Sequence, residues 1–277
     1  MLSNVARDAR AEVHPVVMRH LISARQSRLS FSPMNQPVQN KRRGRPPSAA
    51  TARRSGKAAV PHAVAAADPV EPGRTNDPER TRADIIEVAT HEFSEKGLAG
   101  GRIDAIAAAT RTSKRMIYYY FGSKEGLYIA VLEDAYRRIR QIETELHLDD
   151  LAPEDALRRL VGFTVDYQWA NPDFVRLVQT ENIHRGEYLA QSTSIRQLNI
   201  PAIEGLKRVY ERGVKAKVFR SGLDAVDLHM SISALSVFNI ANRHTFSLIF
   251  ERDLASSAAL IARRDSIIEM IVRFVRR

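Results

Sequence analysis

Residues Arg102 to Leu127 read RIDAIAAATRTSKRMIYYYFGSKEGL, and this stretch decides the fold. Ile103, Ile106 and Ala107 recur at the spacing of one helical face. Thr110 to Thr112 makes a polar break, and a second short segment, Ser113 to Tyr119, follows. An aromatic run then closes at Phe121-Gly122-Ser123-Lys124. Two short helices across a tight turn, the second carrying Lys, Arg, Met and Tyr, form a helix-turn-helix pattern. That geometry sets one helix end against base edges in a major groove, so the pattern points to double-stranded DNA as the partner.

On the N-terminal side a third helix begins sharply. Asp77 can cap its first turn, Pro78 suits the first helical position, and Glu79 favours the positive end of the helix dipole. Arg82, Ile86, Ala89 and Phe93 form a helical stripe beside Ile85, and Gly97 is expected to end the helix. The three helices make a module of about fifty residues with a predicted core of Ile86, Ala89, Phe93, Ile103, Ile106, Ile117 and Tyr120. From Ser123 onward the pattern stays helical. Leu127, Ala130, Val131, Ile139 and Ile142 stripe one long helix. Further helices are predicted from Pro153 to Asn171-Pro172, Asp173 to His184, Tyr188 to Ala216 with Pro201 as a kink or restart, Ala225 to Phe250 and Ala255 to Arg276. No alternating strand pattern competes, and no internal repeat is found. The fold class is all-α.

Composition narrows the chemistry. The 277-residue chain has 44% hydrophobic residues, enough for a packed core. It has no cysteine, which removes disulfides, thiolate metal sites and cysteine nucleophiles. No apolar run approaches the roughly 18 residues of a membrane span, so no membrane contact is expected. Charged and polar residues interrupt the first stretch, which does not read as a secretory signal. The net charge of +10 is unevenly placed: residues 1–76 hold 13 Lys/Arg against 4 Asp/Glu, whereas residues 77–277 hold 29 against 28. Residues 1–76 also lack periodicity and are expected to be largely disordered. A basic arm on a near-neutral body reads as a contact to a polyanion, with a solvated tail as the alternative.

Within that arm, Lys41-Arg42-Arg43-Gly44-Arg45-Pro46-Pro47 resembles an AT-hook. In such a motif the Arg43-Gly44-Arg45 core would lie in the narrow minor groove of A/T-rich DNA, with Gly44 letting the backbone approach and each Arg reaching along the groove floor. About thirty residues separate it from Asp77, a linker able to span tens of Å. A generic basic tail is the competing reading.

Three runs carry a resemblance to a known family. They are Ile85-Ile86-x-x-Ala89-x-x-x-Phe93-x-x-x-Gly97, then Ile103-x-x-Ile106-Ala107, then Ser113-Lys114-x-x-Ile117-Tyr118-Tyr119-Tyr120-Phe121-x-Ser123-Lys124-Glu125-x-Leu127. Residues 77–132 therefore resemble the DNA-binding module of the TetR/AcrR family of bacterial repressors. The resemblance implies a three-helix DNA-binding domain (77–124) and a C-terminal helical ligand-binding and dimerisation domain (125–277), preceded by the basic extension (1–76) read from composition. It implies Lys114, Arg115, Met116 and Tyr118 at the major groove. Arg102, Ser113, Tyr119 and Lys124 fall at phosphates, and Thr112 joins the DNA-binding set at the turn. The chemistry agrees: Arg and Lys pair with guanine acceptors, Met packs on a thymine methyl, and Tyr hydroxyls and a helix start bind phosphate oxygens. Core packing competes for the tyrosines; Tyr120 falls with Ile117 on the buried face and is assigned there, while Tyr118 and Tyr119 are assigned to DNA. For Lys124 the alternative is a solvated lysine.

The sequence also departs from the family pattern. Arg111-Thr112 stands where Gly-Val is usual, so Arg111 must tolerate whatever backbone conformation that glycine serves. Gly100-Gly101-Arg102 stands where a hydroxyl residue is usual, and Arg115-Met116 replaces a common Gly-Thr, giving a bulkier reading surface.

The resemblance further implies an effector pocket in the helical body. Candidate lining residues are Phe163, Tyr167, Trp169, Phe174, Glu181, His184, Phe238, Asn242 and Phe246, which mix aromatic and polar groups. Trp169 has a second reading, as a staple between two helices. Two apolar stripes are expected to build a dimer interface: Leu228, Ile232, Leu235, Phe238 and Ile249, then Leu260, Ile261, Ile267, Ile268, Ile271 and Phe274. No phosphate-binding loop, metalloprotease motif, nucleophile elbow or dinucleotide fingerprint occurs, and the histidines are scattered. No enzyme activity, cofactor or metal is expected. The resulting expectation is a bacterial, cytoplasmic, nucleoid-associated regulator. It would be a homodimeric repressor of a palindromic operator, released by a small-molecule effector. An architectural A/T-rich DNA-binding protein, an enzyme and an activator are the competing readings.

Overall fold

The computed structural model describes residues 77–277. The AT-hook-like residues Arg43, Gly44 and Arg45 lie outside the described residues. Among the described residues ten α-helices follow in order: α1 (Pro78–Gly100), α2 (Ile103–Ala109), α3 (Lys114–Phe121), α4 (Lys124–Thr144), α5 (Pro153–Ala170), α6 (Pro172–Ile183), α7 (Thr193–Lys215), α8 (Ala225–Ala241), α9 (Arg243–Ile249) and α10 (Ser257–Val275). Short 3-10 turns at Leu148–Asp150 and Leu189–Gln191 precede α5 and α7. Among the described residues there is no strand, only an isolated bridge between Phe219 and Arg276.

Local chemistry sets most helix starts. Asp77 accepts the backbone N–H groups of Glu79 and Arg80 at 3.1 and 3.2 Å, with Pro78 at the first helical position. Ser113, Ser123, Ser192, Asp224 and Ser256 cap α3, α4, α7, α8 and α10 in the same way. Each such cap is worth about 1 kcal/mol.

Gly97 (φ 64°, ψ 175°) leaves helical geometry at the position where the sequence predicts the helix to end, and the residues to Gly100 follow it across a kink. Two other helix expectations are corrected. Pro201 does not restart α7, which runs from Thr193 with the proline inside it. The single helix expected over 225–250 divides at Asn242, whose side-chain amide donates back to the Phe238 carbonyl at 3.1 Å.

Two hydrophobic cores result. The first joins Ile85, Ile86, Ala89 and Phe93 of α1 to Ile103, Ile106 and Ile117 of α2 and α3. It also takes Leu127, Tyr128 and Val131 from α4, together with Leu177 of α6 and Ile195 of α7, so it reaches past residue 124. Tyr120 is only half-buried against it. The second core lies among α5, α7, α8 and α10 and receives Ile139 and Ile142 from the far half of α4. One continuous helix, α4, thus belongs to both. A buried ion pair helps fix the second core: Arg264 Nε donates to both oxygens of Asp166 at 2.9 and 3.0 Å.

Close approach fixes one residue of α7. A Cβ on Gly213 would lie 1.9 Å from the Phe219 ring, itself 2% exposed and stacked on Tyr210. Gly205, on the same helix, has no neighbour closer than 3.9 Å. Gly213→Ala is therefore expected to lose about 1–3 kcal/mol through overpacking. Gly205→Ala should gain a few tenths to about 1 kcal/mol through helix propensity. Urea denaturation of both variants checks the pair, and equal midpoints would contradict it.

Candidate nucleic-acid interface

The orientation of α3 is set by one side chain. Ile117 is fully buried, and with about 100° of turn per residue it fixes what the other positions face. Lys114, Tyr118, Arg115 and Tyr119 fall within an arc of about 140° on the opposite side. All four are exposed, Tyr118 at 44% and Tyr119 at 78%. Met116 lies at the edge of that arc and is half-buried, which gives it a smaller share of the outward surface than expected. Ser113 is exposed and caps α3 by accepting the Met116 N–H at 3.2 Å; Thr112 beside it is half-buried.

The turn into α3 is a Schellman closure. Thr112 N donates to Ala107 O at 3.0 Å and Arg111 N to Ala108 O at 3.3 Å. This geometry needs a left-handed residue between them, and Arg111 adopts φ 52°. Arg111 thus occupies the slot that a glycine fills without steric cost. At the other end of α3, the α4 backbone comes so close that a Cβ on Gly126 would lie 2.1 Å from the Phe121 carbonyl oxygen. Arg82 of α1 sits 5.5 Å from the Phe121 ring centroid and ties that end to the module.

The electrostatics of this face are one-sided. Between Arg102 and Lys124 there are five Lys/Arg and a single acid, Asp104. Lys114 Nζ contacts Asp104 at 2.6 Å, and Arg102 stands 4.0 Å from it. The hydrogen bond from Lys114 holds the Asp104 carboxyl below its usual range. Both groups are more than half exposed, so the pair is weak and readily exchanged for a phosphate or base. The Arg102 backbone N–H is held by Glu92 at 3.0 Å while its side chain stays in solvent. Lys124 is half-buried and donates to the Ala99 carbonyl at 3.2 Å, bracing α4 against the end of α1.

The family-model comparison matches the same segments. Residues 85–131 match the model of bacterial regulatory proteins of the tetR family, and residues 153–271 match a tetracyclin repressor-like C-terminal domain. The HTH-type transcriptional repressor NicS of Pseudomonas putida is 39% identical over 204 residues, covering 74% of this chain and 96% of NicS. The chain belongs to the tetR family of bacterial regulatory proteins. The HTH-type transcriptional repressor SCO4008 of Streptomyces coelicolor is 38% identical over 110 residues, covering 40% of this chain and 54% of that repressor. Among solved structures, a tetR-family regulatory protein from Rhodococcus RHA1 shares the fold with TM-score 0.57 at 21% identity, covering 71% of this chain and 97% of that one.

A second feature of this tetR-family chain is a cavity of about 590 Å³ in the helical body. Its walls come from Tyr136, Ile139, Arg140 and Glu143 of α4, Phe163, Thr164 and Gln168 of α5, and Phe174 and Val178 of α6. Ile195, Arg196 and Asn199 of α7, His229, Ser233 and Val237 of α8, and Leu189, Ala190 and Ser192 just before α7 complete it. Of the residues named from sequence, Phe163 and Phe174 line it. The others lie elsewhere. Tyr167 stands behind that wall, 5.8 and 6.1 Å from the Phe163 and Phe174 rings. Trp169 lies under Arg243 at 5.7 Å, near the corner between α8 and α9. Glu181 is buried near Tyr128 and accepts the Leu189 N–H at 2.9 Å. His184 is exposed at the end of α6. Phe238 and Phe246 make an edge-on pair at 5.2 Å, with Asn242 between them in sequence. Sequence reasoning missed Arg140, Glu143 and Arg196. The available signal was two charged residues placed inside the apolar stripe that includes Ile139 and Ile142.

Arg111→Gly relieves the left-handed strain and is expected to raise stability by about 1 kcal/mol. Thermal unfolding checks this; an unchanged or lower midpoint would mean that the arginine side chain compensates for the strain.

Proposed function

We propose that this protein is a ligand-responsive transcriptional repressor that binds a palindromic operator as a homodimer. The observation that carries the reading is the solvent-facing arc of Lys114, Arg115, Tyr118 and Tyr119 on a helix held from behind by Ile117. Lys114 and Arg115 supply donors for guanine acceptors, and Tyr118 offers a flat apolar face with a hydroxyl. Arg102, Ser113, Tyr119 and Lys124 supply phosphate contacts, with Thr112 at the turn and Met116 packing at the edge of the reading surface. One recognition helix covers too few base pairs for useful specificity, which favours two-fold pairing. DNA as partner puts the protein in the bacterial cytoplasm. The kinship with NicS supports repression over activation and over a passive architectural role.

The dimer surface is drawn from the exposed apolar side chains of α8 and α9. Leu228, Ile232, Ile267, Ile268 and Ile271 pack inside the subunit, so they do not contribute to it. Val226, Met230 and Phe238 instead share an outward arc of about 120° on α8, joined by Leu248, Ile249 and Phe250 around the end of α9. The cavity-lining residues His229, Ser233 and Val237 occupy an arc of the same α8 that overlaps the Val226 edge of this surface.

Coupling runs through α4 and α6. The first half of α4 packs under the DNA-reading helices and its second half lines the cavity. On α6, Phe174 and Val178 line the cavity while Arg176 is ion-paired with Glu95 of α1. A ligand that prefers one tilt of these helices changes the spacing of the paired α3 helices. It releases DNA only through that preference, since equal affinity for both states would shift nothing.

Selection of bound fragments from genomic DNA supplies the operator for a test. Lys114→Ala and Tyr118→Ala are each expected to weaken operator binding about ten-fold, the scale of a lost base contact, with dimer mass unchanged in sedimentation. Unchanged affinity in both variants would remove α3 from the readout. Deletion of residues 1–76 is expected to lower affinity and flatten its salt dependence, because fewer phosphates are neutralised. An identical salt slope would mean that the arm contributes nothing.

A further inference from the structure

The cavity's charge is unbalanced. Its charged groups are Arg140 and Glu143 on α4 and Arg196 on α7, with His229 contributed by α8. The segments from α5 and α6 present Thr164 and Gln168 as their polar groups and no charge. Arg140 is largely buried and contacts Glu143, yet its Nε has no hydrogen-bond partner. Arg196 is exposed and lines the same cavity, with no ionic partner among the described residues. Gln168, 4% exposed, also has an unpartnered amide oxygen. Burial depresses the His229 imidazolium, and the field of Arg140 adds to this, so His229 brings no lasting charge at neutral pH. Burial also raises the Glu143 carboxyl, against the opposing pull of Arg140 beside it.

The remaining wall is apolar and aromatic. Tyr136 and Phe174 meet edge-on at 5.4 Å, and Phe163 stands on the α5 side. A volume of about 590 Å³ lies within the range of organic ligands, and an inorganic ion would leave most of it unfilled. A buried guanidinium without its full set of acceptors is costly unless an anion completes it, and a planar carboxylate matches its fork.

We propose that the effector is an organic carboxylate on an apolar, ring-bearing body, its charge met by Arg140 and Arg196 and its rings by Tyr136, Phe163 and Phe174. The proposal rests on the effector-responsive reading given above and names the chemistry of that same site. One carboxylate balances the net charge of two guanidiniums and one carboxyl group. Glu143 then acts against the ligand, limiting its affinity.

The test uses the full-length dimer and calorimetric or thermal-shift titration with ring-bearing carboxylates, including benzoate, 2-naphthoate and indole-3-acetate. Each acid is paired with its primary amide and amine, and phenyl phosphate serves as the dianionic probe. At least one acid is expected to bind at least ten-fold more tightly than its amide or amine and more tightly than phenyl phosphate. Arg196→Ala, a change at an exposed position, and Arg140→Gln should each weaken that acid ten-fold or more. Glu143→Gln should tighten it several-fold, an outcome that mere damage to the fold would not produce. Binding by no acid, equal or tighter binding of amides, amines or phenyl phosphate, or indifference to Arg196→Ala and Glu143→Gln would overturn the proposal. Release is read separately on operator-bound protein. An acid that binds as expected but leaves DNA occupied contradicts the release reading alone. Release by an amide or amine contradicts the ligand class alone.

Discussion

The burial of Ile117 is the constraint on which the DNA-facing surface depends. A helix of eight residues has little stability of its own, so its rotation is fixed by what it docks against. Ile117 enters a core built by Ile106, Phe93 and Val131, and the basic and aromatic side chains are turned outward as a consequence. Arg111 stores strain one step before this helix, in a left-handed conformation that the Schellman closure imposes. Such strain persists only because the surrounding packing over-determines the turn.

In the proposed mechanism the same packing links reading to sensing. Tyr128 and Val131 sit under the DNA module, while Ile139 and Ile142 enter the second core on the same uninterrupted helix. A small tilt of α4 therefore cannot be absorbed locally, because its two halves belong to different bodies of packed side chains. The Glu95–Arg176 pair and the contact between His91 and Asp173, at 3.7 Å, add a polar seam between α1 and α6 at the same junction. In the proposed mechanism, ligand binding beside Tyr136 and Phe174 acts on both connecting helices at once.

Legibility in the sequence followed the range of the interactions. Caps, turns and the face of α3 depend on residues a few positions apart, so Asp77-Pro78, the polar break at Thr110 to Thr112 and the opposition of Ile117 to Tyr118 could be read directly. The arrangement of the body could not. Phe163 and Tyr167 are similar aromatics one helical turn apart, yet one lines the cavity and the other backs it. Phe238 looked like a pocket residue and is half exposed, because burial on α8 is set by its packing against α5, α6, α7 and α10 and not by its own apolar stripe. The break at Asn242 was hidden because the apolar stripe continues through Phe246 on the far side of the turn. Arg140 was passed over because a charge on a long helix normally reaches solvent, and only the packed neighbours reveal that this one does not.

Hydroxyl-radical footprinting of the full chain on a selected genomic site tests the central claim most directly. Two α3 helices reading DNA from a symmetric dimer predict two equivalent protected segments related by a two-fold axis, spaced by about one helical turn or a multiple of it. A single protected segment without symmetry, or protection that spreads with A/T content, would contradict the account.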